Sequence, residues 1–376
     1  MSSRSYKTMV VKIGSSTLVR ADGTPDEAFL STLAAQAEEL VAAGWRLVVV
    51  SSGAIACGLR MLGLGPKRPA DMPTVQAAAS VGQLSFARAY DEAFAARGIL
   101  TSLVLLTRQD TARRQSYLHA RDTLTRLVGL GVTPVVNEND TVTVEEIKFG
   151  DNDTLAALVS CLVSADLCVI LSDIDGLYTA NPSIDSAATL IPRVEKIDAR
   201  IIAGAGDSST SVGTGGMITK VRSARILMTA GIPSAICSGA EERPLVRLAA
   251  GEAVGTRFQP PAQCQEIAPR KLWIALGDTA HGGLTVDGGA ATALTRRGSS
   301  LLPVGVRAVE GDFHAGDVLD VKDATGLTIA RGIAEADADV LRLAAGRRQD
   351  EIASNRLLSE LADRPAIHRD NLIVFA

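Results

Sequence analysis

The feature that most restricts how this chain folds is a series of short, nearly uninterrupted apolar runs set between longer stretches of helical period. The runs are Met9–Ile13, Arg46–Val50, Ile99–Leu105, Val132–Val136, Leu167–Leu171 and Ser234–Cys237. They are rich in Val, Ile and Leu and do not alternate with polar residues, which is the pattern of strands covered on both faces. Between the first two runs, Thr24-Pro25-Asp26-Glu27 reads as a helix start, with Thr24 as N-cap and Glu27 completing a capping box. Phe29, Leu30, Leu33, Ala34, Ala37, Leu40 and Val41 then line one helical face, and Gly44 ends it. Pro73–Gly98, Gln115–Leu130 and Thr154–Val163 are further helical patterns. Strand and helix alternate, so the spacing predicts an α/β domain built on a parallel sheet.

In such sheets ligands are held outside the carboxyl ends of the strands, and that is where the polar residues of this chain gather. Lys12 interrupts the first apolar run and is followed by Gly14-Ser15-Ser16. It reads either as a surface lysine or as a cation aimed at a phosphate over a glycine. Ser51-Ser52-Gly53-Ala54 ends the second run and opens a helix, an anion-friendly arrangement that is also a common turn. The stretch Asn137–Thr154, NENDTVTVEEIKFGDNDT, joins the fourth run to the next helix. Val142, Val144 and Ile147 read as short hairpin strands, while Asn137, Asp140, Asn152 and Asp153 flank them as candidate ligand-holding groups. Ser172-Asp173 ends the fifth run, ahead of an Asp175-Gly176 turn. Gly213-Thr214-Gly215-Gly216-Met217-Ile218-Thr219-Lys220 precedes a helix running to Ala230, where backbone amides and the helix's positive end suit a phosphate. Lys220 in the first turn opposes the helix dipole unless an anion is present. Neither G-x-x-x-x-G-K-[ST] nor a strand followed by G-x-G-x-x-G occurs, so a nucleotide site here is of another kind.

Several classes are disfavoured. The net charge of -4 offers no electrostatic reason for nucleic acid or an anionic membrane as the main partner. The five cysteines, at 57, 161, 168, 237 and 264, form no C-x-x-C pair, are odd in number and fit no zinc spacing. They read as buried thiols of a reducing compartment. No apolar run reaches membrane-spanning length, and MSSRSYKTMVVKIG lacks a signal-peptide core. The expectation is a cytoplasmic protein without a membrane partner.

Gln259–Arg270, QPPAQCQEIAPR, reads as a linker, after which the style changes. KLWIAL, GLTVDGGA, SSLLPVGVRAVEG, GDVLDV and GLTIARG are short β-like runs between glycine turns, a small β-rich module. From Lys271 to Glu351 nine basic residues face twelve acidic ones, a net of -3, which weighs against RNA as the module's main ligand. The expected organisation is 1–258, a linker 259–270, a module 271–353 and a tail 354–376.

VVKIGSS, SSGAIA, NEND, GDND, SDIDGLYT and GTGGMITK, in this order, resemble the amino-acid kinase family. WIALGDTAHGGLTVDGGA and RGSSLLPVGV resemble a PUA domain, and the combination is similar to the family members that act on L-glutamate. The resemblance implies a mostly parallel sheet sandwiched between helices, with ATP, Mg2+ and L-glutamate as ligands. It implies phosphorylation of the γ-carboxylate, the first step of proline synthesis, inhibition by proline, a dimer or tetramer, and transfer of the product to the next enzyme. It also implies roles. Lys12 and Lys220 contact phosphates, Asp153 orients them, and Ser52, Asp140 and Asn152 hold glutamate. Ser172, Asp173 and Thr214, Gly215, Gly216, Met217, Ile218, Thr219 and Lys220 belong to the ATP segments. Ile218 and Ile174 depart from the family pattern, where polar residues are commoner. The alternatives are a kinase of the same fold acting on acetylglutamate, aspartate, carbamate or a nucleoside monophosphate, or an RNA-binding protein using the PUA module.

Overall fold

In a computed structural model of the chain, five of the apolar runs form the middle of one large sheet, and Ile99–Leu105 becomes an edge strand that is only partly covered. The structure describes all residues except 1–5, 66, 108–113, 144–150, 207–215, 262–270, 272–273, 276–279, 357, 359–360, 362 and 376. The strands of the first unit, Met1–Cys264, are β1 (Lys7–Ile13), β2 (Trp45–Ser51), β3 (Thr101–Leu106), β4 (Thr133–Glu138), β5 (Leu167–Ser172), β6 (Arg193–Val194), β7 (Ser234–Ser238) and β8 (Thr256–Phe258). Their spatial order is β3-β4-β2-β1-β5-β7-β8-β6. Every pairing is parallel except β7 with β8. The sequence reading stops at the strand that became β7. β6, at the edge of the sheet, and β8, beside it, are two and three residues long, too short to leave a periodic signal.

The helices are α1 (Ser15–Leu18), α2 (Glu27–Ala42), α3 (Ala54–Met61), α4 (Met72–Ala95), α5 (Arg114–Gly129), α6 (Asn152–Leu162), α7 (Ala199–Gly206), α8 (Met217–Thr229) and α9 (Pro244–Ala249). Asp26, not Thr24, caps α2, accepting from the Phe29 N–H at 3.1 Å. Thr24 is instead held by the Asp22 carboxylate. α6 begins at Asn152, two residues earlier than its apolar pattern, because Asp151 accepts the Thr154 N–H at 2.8 Å and caps the helix there.

Side chains alternate across the strands and so sort into two cores. Met9, Val11, Ile13, Val49 and Leu171 pack with residues of α2, α4 and α9. On the other face, Ile170 and Ile236 pack with Val221, Ala224 and Met228 of α8. Lys12 lies one residue from Val11 and Ile13, so its side chain emerges on the α8 side, away from α2 and α4. β1 pairs with β2 on one side and β5 on the other. The chain thus reverses its direction of progress across the sheet at β1, and the switch leaves a crevice at the strand ends.

Gln265–Ala376 is a second unit. Its strands β9 (Gly282–Val286), β10 (Val306–Gly311), β11 (Val318–Lys322), β12 (Thr328–Ile333) and β13 (Leu372–Val374) form a sheet in the order β10-β9-β11-β12-β13. Helices α10 (Gly288–Arg297), α11 (Ala338–Ala344) and α12 (Gln349–Ser354) complete the unit. Leu284, Val286, Leu319, Val321, Leu341 and Ile367 belong to its own core. The tail adds β13 as an edge strand on β12. KLWIAL departs from its β-like reading: its described residues Lys271, Ile274 and Ala275 are helical. A short apolar run alone does not distinguish strand from buried helix.

α3 and α4 cross with their backbones nearly touching. A Cβ on Gly82 would lie 1.8 Å from the Ala54 carbonyl oxygen, and one on Gly58 would lie 1.8 Å from that of Ala78. The obstacle in both cases is backbone, which cannot swing aside as a side chain can. Gly82→Ala is expected to destabilise the unit by about 1–3 kcal/mol, seen as a lower midpoint in urea unfolding of the variant beside the parent.

Candidate active site

The carboxylate of Asp153 is the hub of the crevice. Asp153 occupies the first turn of α6 and is wholly buried. Its Oδ1 lies 2.7 Å from Lys12 Nζ at the end of β1, and its Oδ2 lies 3.2 Å from Lys220 Nζ on α8. Both lysines are buried as well. Thr219 Oγ1 stands 2.9 Å from the same Oδ2 and 2.8 Å from the Gly216 carbonyl. Burial alone would raise the Asp153 pKa. The charges of Lys12 and Lys220, with the Thr219 hydrogen bond, outweigh it and hold the carboxyl below the usual carboxylate range. Asp151, two residues away, is pushed the other way by burial and by the charge of Asp153, against the opposing Thr154 hydrogen bond and Lys12 charge.

On one side of this hub the groups nearest Asp153 are neutral amides and hydroxyls, with the Asp140 carboxylate beyond them. The two N–H bonds of Asn152 Nδ2 are shared among three acceptors, the Ser51 carbonyl at 2.6 Å, Ser52 Oγ at 2.7 Å and Asn137 Oδ1 at 3.0 Å. Asn137, buried at the end of β4, in turn donates through Nδ2 to Gln83 Oε1 of α4 at 2.9 Å. Ser51 Oγ lies 3.1 Å from the hydroxyl of the fully buried Tyr90, also on α4. Gln76 of α4 donates to the Thr143 carbonyl at 3.2 Å and so ties down the segment that follows Asp140. Asp140 itself lies half-buried in the turn after β4.

The other side carries the nucleotide candidates. Ser172, buried at the end of β5, donates to the exposed Asp173 at 3.0 Å. α8 is capped by Gly216, without a side-chain cap. While the Thr219 N–H is taken by the Gly216 carbonyl at 3.2 Å, Met217 and Ile218 present first-turn N–H groups of the kind that bind anions. Ile174 is partly exposed next to Asp173. Thr214 and Gly215 lie outside the described residues, as do Val144 and Ile147 of the expected hairpin. The structure therefore brings Lys12, Asp153, Thr219 and Lys220 into one contact network, and Ser52 and Asn152 into another that begins one residue away. Gln76, Gln83 and Tyr90 went unread in the sequence. Their seven-residue spacing along an Ala-rich helix was the available signal.

With this geometry established, likeness to known proteins becomes informative. Residues 7–238 match the amino acid kinase family, and residues 282–354 match the PUA domain. A protein named glutamate 5-kinase from Geobacter sp. (strain M21) is 46% identical over 99% of this chain and 98% of its own length. One of the same name from Myxococcus xanthus (strain DK1622) is 47% identical over 99% of this chain and 97% of its own. Among solved structures, UMP kinase from Ureaplasma parvum aligns with a TM-score of 0.47 and 12% identity, over 68% of this chain and 99% of that one.

Two consequences are measurable. Asp153→Asn strands two buried ammonium groups without a counter-charge, a loss on the order of 3–5 kcal/mol. Chemical denaturation should show it, and unchanged stability would remove Asp153 as the hub. Asp151 gives the opposite pH signature to Asp153. A carboxyl with a raised folded-state pKa contributes stability that is complete below the unfolded value, about pH 4, and lost as pH rises through the folded one. Asp151→Asn keeps a capping side chain but no ionisable group. Its melting temperature relative to the parent should rise between pH 4 and pH 7, and a flat difference across that range would contradict the assignment.

Proposed function

Because the chain belongs to the amino acid kinase family and carries a C-terminal PUA domain, we propose that it phosphorylates the γ-carboxylate of L-glutamate with ATP. The product is L-glutamyl 5-phosphate, and the reaction opens proline synthesis. The observation that carries this reading is the pair of buried lysines held on one carboxylate beside a neutral amide pocket. The name shared by relatives at 45–47% identity along nearly the whole chain supports glutamate as the acceptor.

The chemistry suits these residue types. The nucleophile is a carboxylate, already ionised at neutral pH, so the reaction needs no general base. Phosphoryl transfer then depends on aligning two anions and neutralising the charge between them. Each lysine ammonium has three N–H bonds, and Asp153 engages one face of each, leaving donors for the oxygens of the transferring phosphoryl group. Ser52, Asn152 and Asp140 hold glutamate. Ser172, Asp173 and residues 214–220 hold ATP. Asp153 is committed to two lysines, and the described residues contain no cluster of three His, Cys, Asp or Glu side chains able to hold a metal. Mg2+ would accompany ATP and, held largely by phosphate oxygens as is usual for this ion, would neutralise charge there.

Proline as an inhibitor, a dimer or tetramer, a cytoplasmic setting and delivery of the labile acyl phosphate to the next enzyme complete the proposal. So does a division into a kinase domain at 1–258 and a PUA domain at 271–353, with the linker and tail as expected above. No described helix is long and apolar enough to cross a membrane.

Purified protein with Mg-ATP, L-glutamate and hydroxylamine should yield γ-glutamyl hydroxamate, measured against N-acetyl-L-glutamate, L-aspartate and UMP as acceptors. Turnover with one of those and none with glutamate would replace the substrate. Lys12→Ala and Lys220→Ala should each lower kcat by about 10²–10³, and parental turnover in either would refute its role.

A further inference from the structure

The amide pocket has a direction, set at one end by a backbone carbonyl and matched at the other by a side-chain acceptor. At one end is the Ser51 backbone carbonyl, which can only accept; Asn152 Nδ2 meets it at 2.6 Å. Asn152 must therefore turn its NH2 group inward, toward Ser51, Ser52 and Asn137. At the other end is Gln83, whose Oε1 accepts from Asn137 Nδ2 at 2.9 Å. Asn137 turns its own oxygen, Oδ1, toward the Asn152 NH2 group, and Gln83 supplies the acceptor that this orientation requires for the Asn137 NH2 group. An Asn137 rotated by half a turn would set its NH2 against the NH2 of Asn152, donor against donor.

This arrangement has two outward consequences. With its NH2 group occupied, Asn152 has its carbonyl oxygen Oδ1 to offer a ligand, and no described residue donates to it. Ser52 Oγ accepts from Asn152 at 2.7 Å, so its hydroxyl proton is directed elsewhere, and no described residue accepts it. The pocket then presents one acceptor and one donor side by side. That is the complement of a zwitterion: an ammonium for Asn152 Oδ1 and a carboxylate oxygen for the Ser52 hydroxyl.

We propose that Gln83 is a positioning residue for the acceptor substrate, acting through Asn137 to hold Asn152 and Ser52 in the polarity that recognises an α-ammonium and an α-carboxylate together. The proposal rests on glutamate as the acceptor. Gln83 touches neither substrate. Its helix is suited to the task because the same stripe of α4 carries Gln76, on the Thr143 carbonyl, and Tyr90, on Ser51. Three points spaced two helical turns apart thus anchor the ends of β2 and β4 from one rigid element.

The test is steady-state kinetics of the full chain and its Gln83→Met, Asn137→Ala and double variants, with glutamate and with glutarate, which lacks the α-ammonium. Gln83→Met leaves a buried amide donor without its partner, and the KM for glutamate should rise about tenfold. The KM for ATP should stay within about twofold, since the nucleotide groups lie on the other side of Asp153. The preference for glutamate over glutarate should shrink by a similar factor, because the lost contact serves the ammonium. If Gln83 acts only through Asn137, the double variant should match Asn137→Ala alone rather than multiply the two effects. A simple loss of folding would raise both KM values or lower the active fraction without changing the glutamate-to-glutarate ratio. An unchanged glutamate KM in Gln83→Met, an unchanged ratio, or effects that multiply in the double variant would each overturn the relay. Parental protein without glutamate turnover would overturn the substrate reading and the relay together. Parental turnover with an indifferent Gln83→Met would overturn the relay alone.

Discussion

Everything in the first unit converges on one buried carboxylate that two lysines share. An unpaired ion at the depth of Asp153 would be prohibitively costly, and removing either partner would leave an uncompensated charge. The pairing ties three elements together: the end of β1, the first turn of α6 and the first turn of α8. Each must arrive in register for the others to be tolerated. Side-chain alternation puts Lys12 on the same side as α8, and the Asp151 cap sets where α6 starts, hence where Asp153 points. The site is therefore a condition of the fold as much as a product of it.

A second constraint acts from the opposite face of the sheet. α4 packs against α3 so closely that two glycines are required at the crossing. α3 begins at Ala54, directly after Ser51-Ser52-Gly53, and Gly53 has a φ of 108°, a conformation that glycine alone adopts readily. A Cβ there would also strike Val19 at 2.6 Å and Phe86 of α4 at 3.1 Å. Backbone geometry at the end of β2 is thus dictated by helix packing. The polar stripe on α4 then carries that rigidity to Ser51 and Asn137.

Much of this was legible in the residues, for identifiable reasons. Strands covered on both faces announce themselves as apolar runs, so β1, β2, β4, β5 and β7 stood out. Lys12 stood out because it interrupts one of them, and Lys220 because a cation in a first helical turn is out of place. The α2 cap was misread because Thr24 and Asp26 are both good caps, and only the turn held by Asp22 decides between them. Gln76 and Gln83 were missed because a polar residue on a helix ordinarily faces water. Their partners, a loop carbonyl and an asparagine, come from strands 54 to 67 positions away in sequence or from the loops beyond them. Tyr90 hid for the opposite reason: as an aromatic among alanines it reads as core, and it is core, with one hydroxyl left over for Ser51.

The division of charge within the crevice explains why so many neutral groups are needed. The reaction must bring an anionic acceptor to an anionic phosphate, and strong cationic sites on both sides would trap substrates and products alike. Two lysines and one aspartate leave a single net positive charge at the hub, enough to favour the transition state over two separated anions. Apart from Asp140, the acceptor side instead uses amides and a hydroxyl, which discriminate by the direction of their hydrogen bonds rather than by charge. Directional groups work only if they cannot turn. An amide can rotate by half a turn and present the opposite polarity at little steric cost, so its orientation has to be enforced by neighbours. In this chain a backbone carbonyl sets it, and Gln83 of α4 completes it by accepting the outermost amide donor.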